Sequence, residues 1–102
     1  MKWCPDTYDR ALVFAAKAHR GQTVPGSEAP YLRHVVGVAS EVLYALASRN
    51  DVSNPDLAVQ CALLHDTIED TSVTAEELAL EFGPAVAAGV TALSKDGSLP
   101  KD

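Results

Sequence analysis

The chain has 102 residues, of which 47% are hydrophobic and 22% charged, and this composition is typical of one small globular domain. Its formal net charge of −6 argues against nonspecific nucleic-acid binding, which needs a basic surface. It contains neither a signal-like N-terminal pattern nor an apolar run of bilayer length, so we expect no membrane segment and a cytoplasmic location.

Helical periodicity begins close to the N-terminus. A first helix is predicted to be capped by Asp6 or Thr7 and to run to about Arg20, where Gly21 ends it. Its inward stripe comprises Tyr8, Ala11, Leu12, Ala15, Ala18 and His19. The segment that follows, residues 21–30, is dense in Gly and Pro and is predicted to be a loop that forms the rim of a ligand site.

The second and third helices are predicted over about residues 31–49 and 55–67. Pro30 suits the first turn of the second helix, and Asn54 followed by a proline is a cap signal for the third. The broad apolar face of the second helix comprises Leu32, Val35, Val36, Ala39, Val42, Leu43 and Leu46.

Two shorter helices complete the pattern. Residues 74–77, Thr-Ala-Glu-Glu, are predicted to be a capping box for the fourth helix, which Gly83 ends. The fifth is predicted from Pro84 to about Ser94, and residues 95–100 are expected to form a polar tail. Because no stretch alternates with period two, the predicted fold is all-α, a bundle of about five helices.

Ionisable and apolar residues are most closely interleaved at residues 61–71, Cys-Ala-Leu-Leu-His-Asp-Thr-Ile-Glu-Asp-Thr. Read as one helix, His65 and Glu69 share a face, as do Asp66 and Asp70. Burying such groups is costly unless each has a partner, and a divalent cation binds imidazole and carboxylate together where the helix ends or bends. From spacing alone a solvated helix end is the commoner case, and a second histidine in the next helix back favours the metal.

Four spaced motifs carry a resemblance to a known family. They are Ala18-His19-Arg20-Gly21-Gln22, Pro30-Tyr31-Leu32-Arg33-His34, the ten residues from Ala62 to Thr71, and Phe82-Gly83 followed by Val86-Ala87 and Ala92-Leu93-Ser94-Lys95. In this order they resemble the HD hydrolase domain of the RelA/SpoT group, with the small alarmone hydrolases closest. The resemblance implies that residues 1–102 form the N-terminal part of an HD domain, without the family's C-terminal helices.

The resemblance also implies a chemistry. It implies a divalent metal, usually Mn²⁺, held by His34, His65 and Asp66, with Glu69 and Asp70 as the catalytic acids beside it. In that family the reaction removes pyrophosphate from the 3′ position of guanosine tetra- or pentaphosphate. This is consistent with the residue types, because a cation lowers the pKa of bound water and offsets phosphoryl charge, while a carboxylate can orient or deprotonate that water.

Further site residues are expected around this group. Tyr31 and Arg33 flank the first histidine and Arg20 precedes the loop, so these three are predicted to contact a nucleotide-type small-molecule substrate. His19 lies on an inward stripe, and we expect it to be structural or to orient the metal ligands in preference to binding the metal directly.

Two departures from the family pattern keep alternatives open. Residues 23–29 read Thr-Val-Pro-Gly-Ser-Glu-Ala where the family usually has basic residues, so another nucleotide or phosphoester is a second candidate substrate. The family takes a further metal-binding aspartate from a later helix, and neither Asp96 nor Asp102 matches that motif. A non-catalytic HD-like module that binds a metal or a partner is the alternative from another class.

Uncovered apolar helix faces also predict homo-oligomers or helix exchange between chains.

Overall fold

The structure is a computed structural model that describes residues 3–49 and 51–98 and contains six helical segments. These are α1 Pro5–Ala18, α2 Leu32–Ala47, α3 Pro55–Leu64, α4 Thr67–Asp70, α5 Ala75–Phe82 and α6 Pro84–Ser98. The all-α prediction is confirmed, since an isolated bridge between Thr23 and Pro30 is the only β-type pairing in the described ranges. None of the helices in that part of the chain is long and apolar enough to cross a membrane.

The central helix of the fold is α3, which packs against α1, α2 and α6. Because α3 has neighbours on several sides, its apolar residues are not confined to one stripe. Its buried residues are Val59, Cys61, Ala62, Leu63 and Leu64. The other buried apolar residues are Ala11 and Ala15 of α1, Val35, Ala39 and Leu46 of α2, Leu78 of α5, and Val86, Ala87 and Val90 of α6. The buried residues of α1 and α2 all belong to the inward faces that the sequence predicted for these helices.

The first helix begins earlier than predicted. It starts at Pro5 with Cys4 as its N-cap, and neither Asp6 nor Thr7 caps it. Proline suits the first helical position because its fixed φ is already helical and it has no N–H to satisfy. The Cys4 amide donates a 2.7 Å hydrogen bond to Asp56 Oδ1, which ties the start of α1 to α3.

Two local cap predictions are confirmed. Asn54 Oδ1 accepts a 3.0 Å hydrogen bond from the Leu57 amide at the start of α3. At the start of α5, Thr74 Oγ1 accepts from the Glu77 amide at 3.2 Å and Glu77 Oε1 accepts from the Thr74 amide at 3.0 Å. These bonds satisfy amides that a helix N-terminus would otherwise leave open.

The last helix is longer than predicted. It continues to Ser98, so the prediction of a polar tail from residue 95 is wrong up to that point, and residues 99–102 lie outside the described ranges. Gly89 brings this helix close to α3, because a Cβ built there would lie 2.6 Å from Cys61 Sγ. Leu93 of this helix is 46% exposed.

Candidate metal centre

The site lies at a break between α3 and α4. The sequence predicted one helix to Thr67, but α3 ends at Leu64, and His65 and Asp66 form a turn. The Thr67 hydroxyl donates a 2.8 Å hydrogen bond to the Leu64 carbonyl, one of the groups that a helix end leaves open. Consecutive side chains of a continuous helix point about 100° apart. At this turn His65 Nε2 and Asp66 Oδ2 nevertheless lie 3.0 Å apart.

Three side chains converge at this turn. His34, His65 and Asp66 each offer a ligand atom, and these atoms lie within 4.8 Å of one another. Asp66 Oδ2 is 3.0 Å from His65 Nε2 and 3.7 Å from His34 Nε2, and the two imidazole centroids are 5.9 Å apart. The side chain of Asp66 is 16% exposed and that of His34 45%, so the cluster is open to solvent on the His34 side.

The donor atoms of the cluster suit a cation. His65 Nδ1 lies 2.7 Å from the Ala62 carbonyl, which can only accept, so Nδ1 carries the hydrogen and Nε2 holds the lone pair of the neutral ring. That lone pair faces a carboxylate oxygen, so a proton or a cation between the two atoms stabilises the pair. A backbone carbonyl that fixes the tautomer in this way is usual for metal-binding histidines.

The electrostatics of the metal-free cluster point the same way. The hydrogen bond with Asp66 raises the pKa of His65 above its ordinary value, although burial lowers it. Burial alone would raise the pKa of Asp66, but hydrogen bonds from His65 and Tyr31 outweigh it, and the pKa falls below its ordinary value. The carboxylate therefore stays ionised and ready to bind a cation.

Tyr31 is part of the same site. Its hydroxyl donates a 2.6 Å hydrogen bond to Asp66 Oδ2. Its ring lies between two imidazoles, with centroids 4.9 Å from His19 and 5.2 Å from His34. Burial, together with the carboxylates of Asp66 and Asp70, raises the pKa of Tyr31 above its ordinary value, so the group remains a protonated donor.

The remaining predicted residues lie around this cluster. Glu69 and Asp70 are exposed on α4, and the Asp70 charge contributes to the raised pKa values of both Tyr31 and His65. Arg33 is exposed and lines, together with His34, an open cavity of about 490 Å³. Arg20 is exposed in the turn after α1.

His19 lies outside the three-residue cluster. It is 3% exposed, its ring contacts that of Tyr31, and its Nδ1 is 2.9 Å from Gln22 Oε1. Its Nε2 has no hydrogen-bond partner among the described residues. Gln22 was not predicted as a site residue, although it belongs to the first of the four motifs, and its side chain also reaches the Asp70 carbonyl at 2.9 Å.

The sequence model that defines the HD domain family matches residues 11–101, a range that includes every side chain of the site described above. This chain belongs to the HD domain family. The membership confirms the family resemblance and the fold class predicted from the sequence. HD domain hydrolases use divalent metals, and the cluster of this HD domain has donor atoms of the kind that bind them.

Proteins similar to this HD domain carry related names. It is 43% identical over 89 residues to guanosine-3′,5′-bis(diphosphate) 3′-pyrophosphohydrolase MESH1 of Danio rerio, an alignment of 86% of this chain and 47% of that protein. It is 41% identical over 93 residues to a GTP pyrophosphokinase of Myxococcus xanthus, 88% of this chain and 11% of that protein.

A solved structure extends the comparison to the fold. It is described as a metazoan ortholog of SpoT that hydrolyses ppGpp, and it matches with a TM-score of 0.76 and 32% identity over 100% of this chain and 55% of its own. The HD domain therefore spans about half the length of the MESH1 proteins that it matches.

Proposed function

We propose that this HD domain carries the metal-binding part of a phosphohydrolase that removes pyrophosphate from the 3′ position of guanosine 3′,5′-bis(diphosphate). The observation that carries the proposal is the convergence of His34, His65 and Asp66 within 4.8 Å. The named activity of the MESH1 relatives, at 43% identity over most of this chain, supports the choice of substrate.

The proposed metal ligands are those three side chains, and the proposed ion is Mn²⁺. Nitrogen and carboxylate oxygen together suit a first-row divalent ion. A bound ion would lower the pKa of a water and offset charge on the phosphoryl group. Two hydrogen bonds orient the proposed ligands before the ion binds. The Ala62 carbonyl fixes the tautomer of His65, and the Tyr31 hydroxyl fixes the orientation of the Asp66 carboxylate.

Glu69 and Asp70 are the proposed catalytic acids. Both lie on α4, which begins directly after Asp66, so the helix that follows the metal ligands also presents two exposed carboxylates. In the proposed hydrolysis the water oxygen forms a bond to phosphorus, the bond from phosphorus to O3′ breaks, and O3′ takes up a proton. One carboxylate orients the water and accepts its proton, a role that requires hydrogen-bond reach.

Substrate contacts are proposed for two arginines. Arg33 lines the cavity beside His34, together with Glu41, and we propose that its guanidinium binds an anionic group there, while Arg20 lies at the edge of the loop. Guanidinium binds phosphate oxygens bidentately. We propose that Tyr31 orients Asp66 and does not contact the nucleotide, because its hydroxyl already donates to that carboxylate.

The sequence leaves two alternatives open. Residues 23–29 contain no Lys or Arg, which favours a less highly charged nucleotide or phosphoester as the substrate. A non-catalytic metal- or partner-binding module would keep the cluster and would not need Glu69. Comparing the hydrolytic activity of Glu69→Gln with that of the wild-type chain distinguishes an enzyme from a non-catalytic binding module.

Hydrolysis measured with Mn²⁺ tests the proposal. Guanosine tetraphosphate and a panel of nucleotides are incubated with the wild-type chain, His65→Ala and Glu69→Gln, and pyrophosphate release is followed. We expect both variants to lose activity, with metal binding lost only in His65→Ala. Activity unchanged in His65→Ala would contradict the assigned site. Binding of the metal without turnover of any compound would favour the non-catalytic module.

The domain boundary, assembly and location stay predictions. We propose that residues 1–102 are the N-terminal part of the HD domain and that the protein acts in the cytoplasm. An apolar groove of about 360 Å³, lined in part by Val38, Val42 and Leu93, supports self-association or helix exchange. Sedimentation over a range of concentrations tests this, and a compact monomer throughout would count against it.

A further inference from the structure

The loop after α1 is joined to α4 by one side chain. Gln22 Nε2 donates a 2.9 Å hydrogen bond to the carbonyl of Asp70, 48 positions away in the sequence. Within the described residues this is the one hydrogen bond from a distant segment to the backbone of Thr67–Asp70, and the Asp70 carboxylate also interacts with the Tyr31 hydroxyl. The four-residue helix is too short to be stable on its own. Its position therefore depends on such contacts and on its packing against α6.

The orientation of the Gln22 amide follows from its partners. A backbone carbonyl can only accept, so the nitrogen of the amide must face Asp70 and the oxygen must face His19. Gln22 Oε1 then accepts a 2.9 Å hydrogen bond from His19 Nδ1, so the hydrogen of this buried imidazole is on Nδ1. Both polar atoms of the Gln22 amide are therefore hydrogen-bonded, the oxygen to the buried ring of His19 and the nitrogen to the Asp70 carbonyl.

The backbone of Gln22 is held equally firmly. Its amide donates to the His19 carbonyl at 2.9 Å, and its carbonyl accepts from the Tyr31 amide at 2.8 Å. Tyr31 in turn donates through its hydroxyl to Asp66. The base of the loop therefore reaches both ends of the short segment that carries the metal ligand and the acids, at Asp66 through Tyr31 and at Asp70 through Gln22.

We propose that Gln22 is a positioning residue that holds α4, and with it Glu69 and Asp70, in register with the metal cluster. This inference rests on the proposed function only for the role of those two acids. Gln22 touches no ligand atom of the cluster, so its loss should move the acids without changing the metal ligands. A displacement of this kind lowers turnover because the reacting groups lose their alignment.

Gln22→Glu is the most selective test. The carboxylate keeps the length of the side chain and still accepts from His19 Nδ1, but it cannot donate to the Asp70 carbonyl. Gln22→Met removes both bonds. Gln60→Glu is the matched control, since Gln60 is half-buried on α3 and its side chain makes no hydrogen bond within the described residues.

Amide hydrogen exchange measures the hold on α4 without metal or substrate. The reporters are the amides of Asp70 and Thr71, which bond to the carbonyls of Asp66 and Thr67 at 3.0 and 3.2 Å. Loss of one hydrogen bond should speed their exchange about fivefold in Gln22→Glu. The Gly83 amide, which closes α5, should change by less than about twofold because α5 does not share this bond.

Turnover measures the consequence for the acids. In both Gln22 variants we expect kcat to fall at least about tenfold, while the Mn²⁺ affinity and KM stay within about twofold of wild type. If Gln22 only stabilised the fold, kcat would be unchanged at a temperature where the variant is folded. Faster amide exchange would then not be confined to α4.

Several results would overturn the inference. These are wild-type exchange of Asp70 and Thr71 in Gln22→Glu, equal acceleration at Gly83, an effect no larger than that of Gln60→Glu, or an unchanged kcat despite faster exchange at α4. A wild-type chain that binds metal but hydrolyses nothing would count against the proposed function, and the exchange measurement would still decide the role of Gln22.

Discussion

The Tyr31 hydroxyl and Asp66 Oδ2 are 2.6 Å apart, and this hydrogen bond joins the start of α2 to the turn before α4. The oxygen that accepts it is also the one nearest to His65 Nε2 and His34 Nε2. The orientation of the one carboxylate in the cluster therefore depends on a phenol from a different part of the chain.

Tyr31→Phe tests this dependence. The ring is retained between the two imidazoles, and only the hydroxyl that orients Asp66 is lost. Removing a group that orients a metal ligand typically weakens metal binding about 10- to 100-fold, and we expect a loss in this range. Calorimetric titration of the metal-free chain with Mn²⁺ measures it. Tyr44→Phe is the matched control because Tyr44 is 84% exposed, and equal affinities for the two variants would contradict the role of the hydroxyl.

Local signals in the sequence predicted most of the fold. The apolar period of about 3.6 located α1 and α2, and the caps at Asn54 and Thr74 located the starts of α3 and α5. These features involve residues within a few positions of one another, so they can be read without the tertiary structure. The end of α6 was misjudged because the polar character of residues 95–100 was taken as a sign of a tail.

The site was less predictable because its geometry is tertiary. His65 and Asp66 were predicted within one continuous helix, whereas they lie at a break between α3 and α4, where their side chains are 3.0 Å apart. The contacts made by the broken segment join residues 35 and 48 positions apart, Tyr31 with Asp66 and Gln22 with Asp70. The motifs contain the three side chains whose ligand atoms the structure brings within 4.8 Å, His34, His65 and Asp66, but no periodicity indicates which side chains touch.

The metal-free cluster should make stability depend on pH. His65 has a folded pKa above its ordinary 6.5, so its contribution is fully present below that pH and is lost as pH rises through the folded pKa. Asp66 has a folded pKa below its ordinary 3.8, so its contribution is present above 3.8 and is lost as pH falls through the folded value. The pair therefore stabilises the fold most between these two ordinary values.

Asp66→Asn removes the pair and tests this window. With a chelator present, the wild-type chain should exceed the variant in free energy of unfolding by more at about pH 5.5 than at about pH 8.5. Urea denaturation at each pH measures the gap. Asp51→Asn is the control, since Asp51 pairs with Arg49, which stays charged throughout. A gap for Asp66→Asn that is constant or larger at high pH would contradict the assignment.

The capping box of α5 should contribute measurably to stability. Thr74→Ala removes the hydroxyl that accepts from the Glu77 amide, and it leaves an open donor in the first turn. We expect a loss of about 1 kcal/mol in the free energy of unfolding. Thermal and urea denaturation measure it. Ser40→Ala, at an exposed position within α2, should change stability by less than about 0.5 kcal/mol, and a similar loss in both variants would argue against a specific cap.

The contact between α3 and α6 leaves no room for a side chain at Gly89. A Cβ there would lie 2.6 Å from Cys61 Sγ, which is itself buried in the core. Gly89→Ala should therefore lower the free energy of unfolding by about 1–3 kcal/mol, the usual cost of overpacking, even though alanine favours the helix. Gly37→Ala is the control: nothing lies within 4 Å of its Cβ position in α2, and we expect a gain of about 0.5–1 kcal/mol.

A second substitution identifies the clashing atom. Cys61→Ala removes the sulfur, so adding Gly89→Ala to that background should cost much less than it does in the wild-type chain, which is a favourable coupling between neighbouring positions. Urea denaturation of the four chains in this cycle gives the coupling free energy. Additive losses would mean that α6 does not approach α3 at Cys61 and that the packing of the two helices differs from the one described.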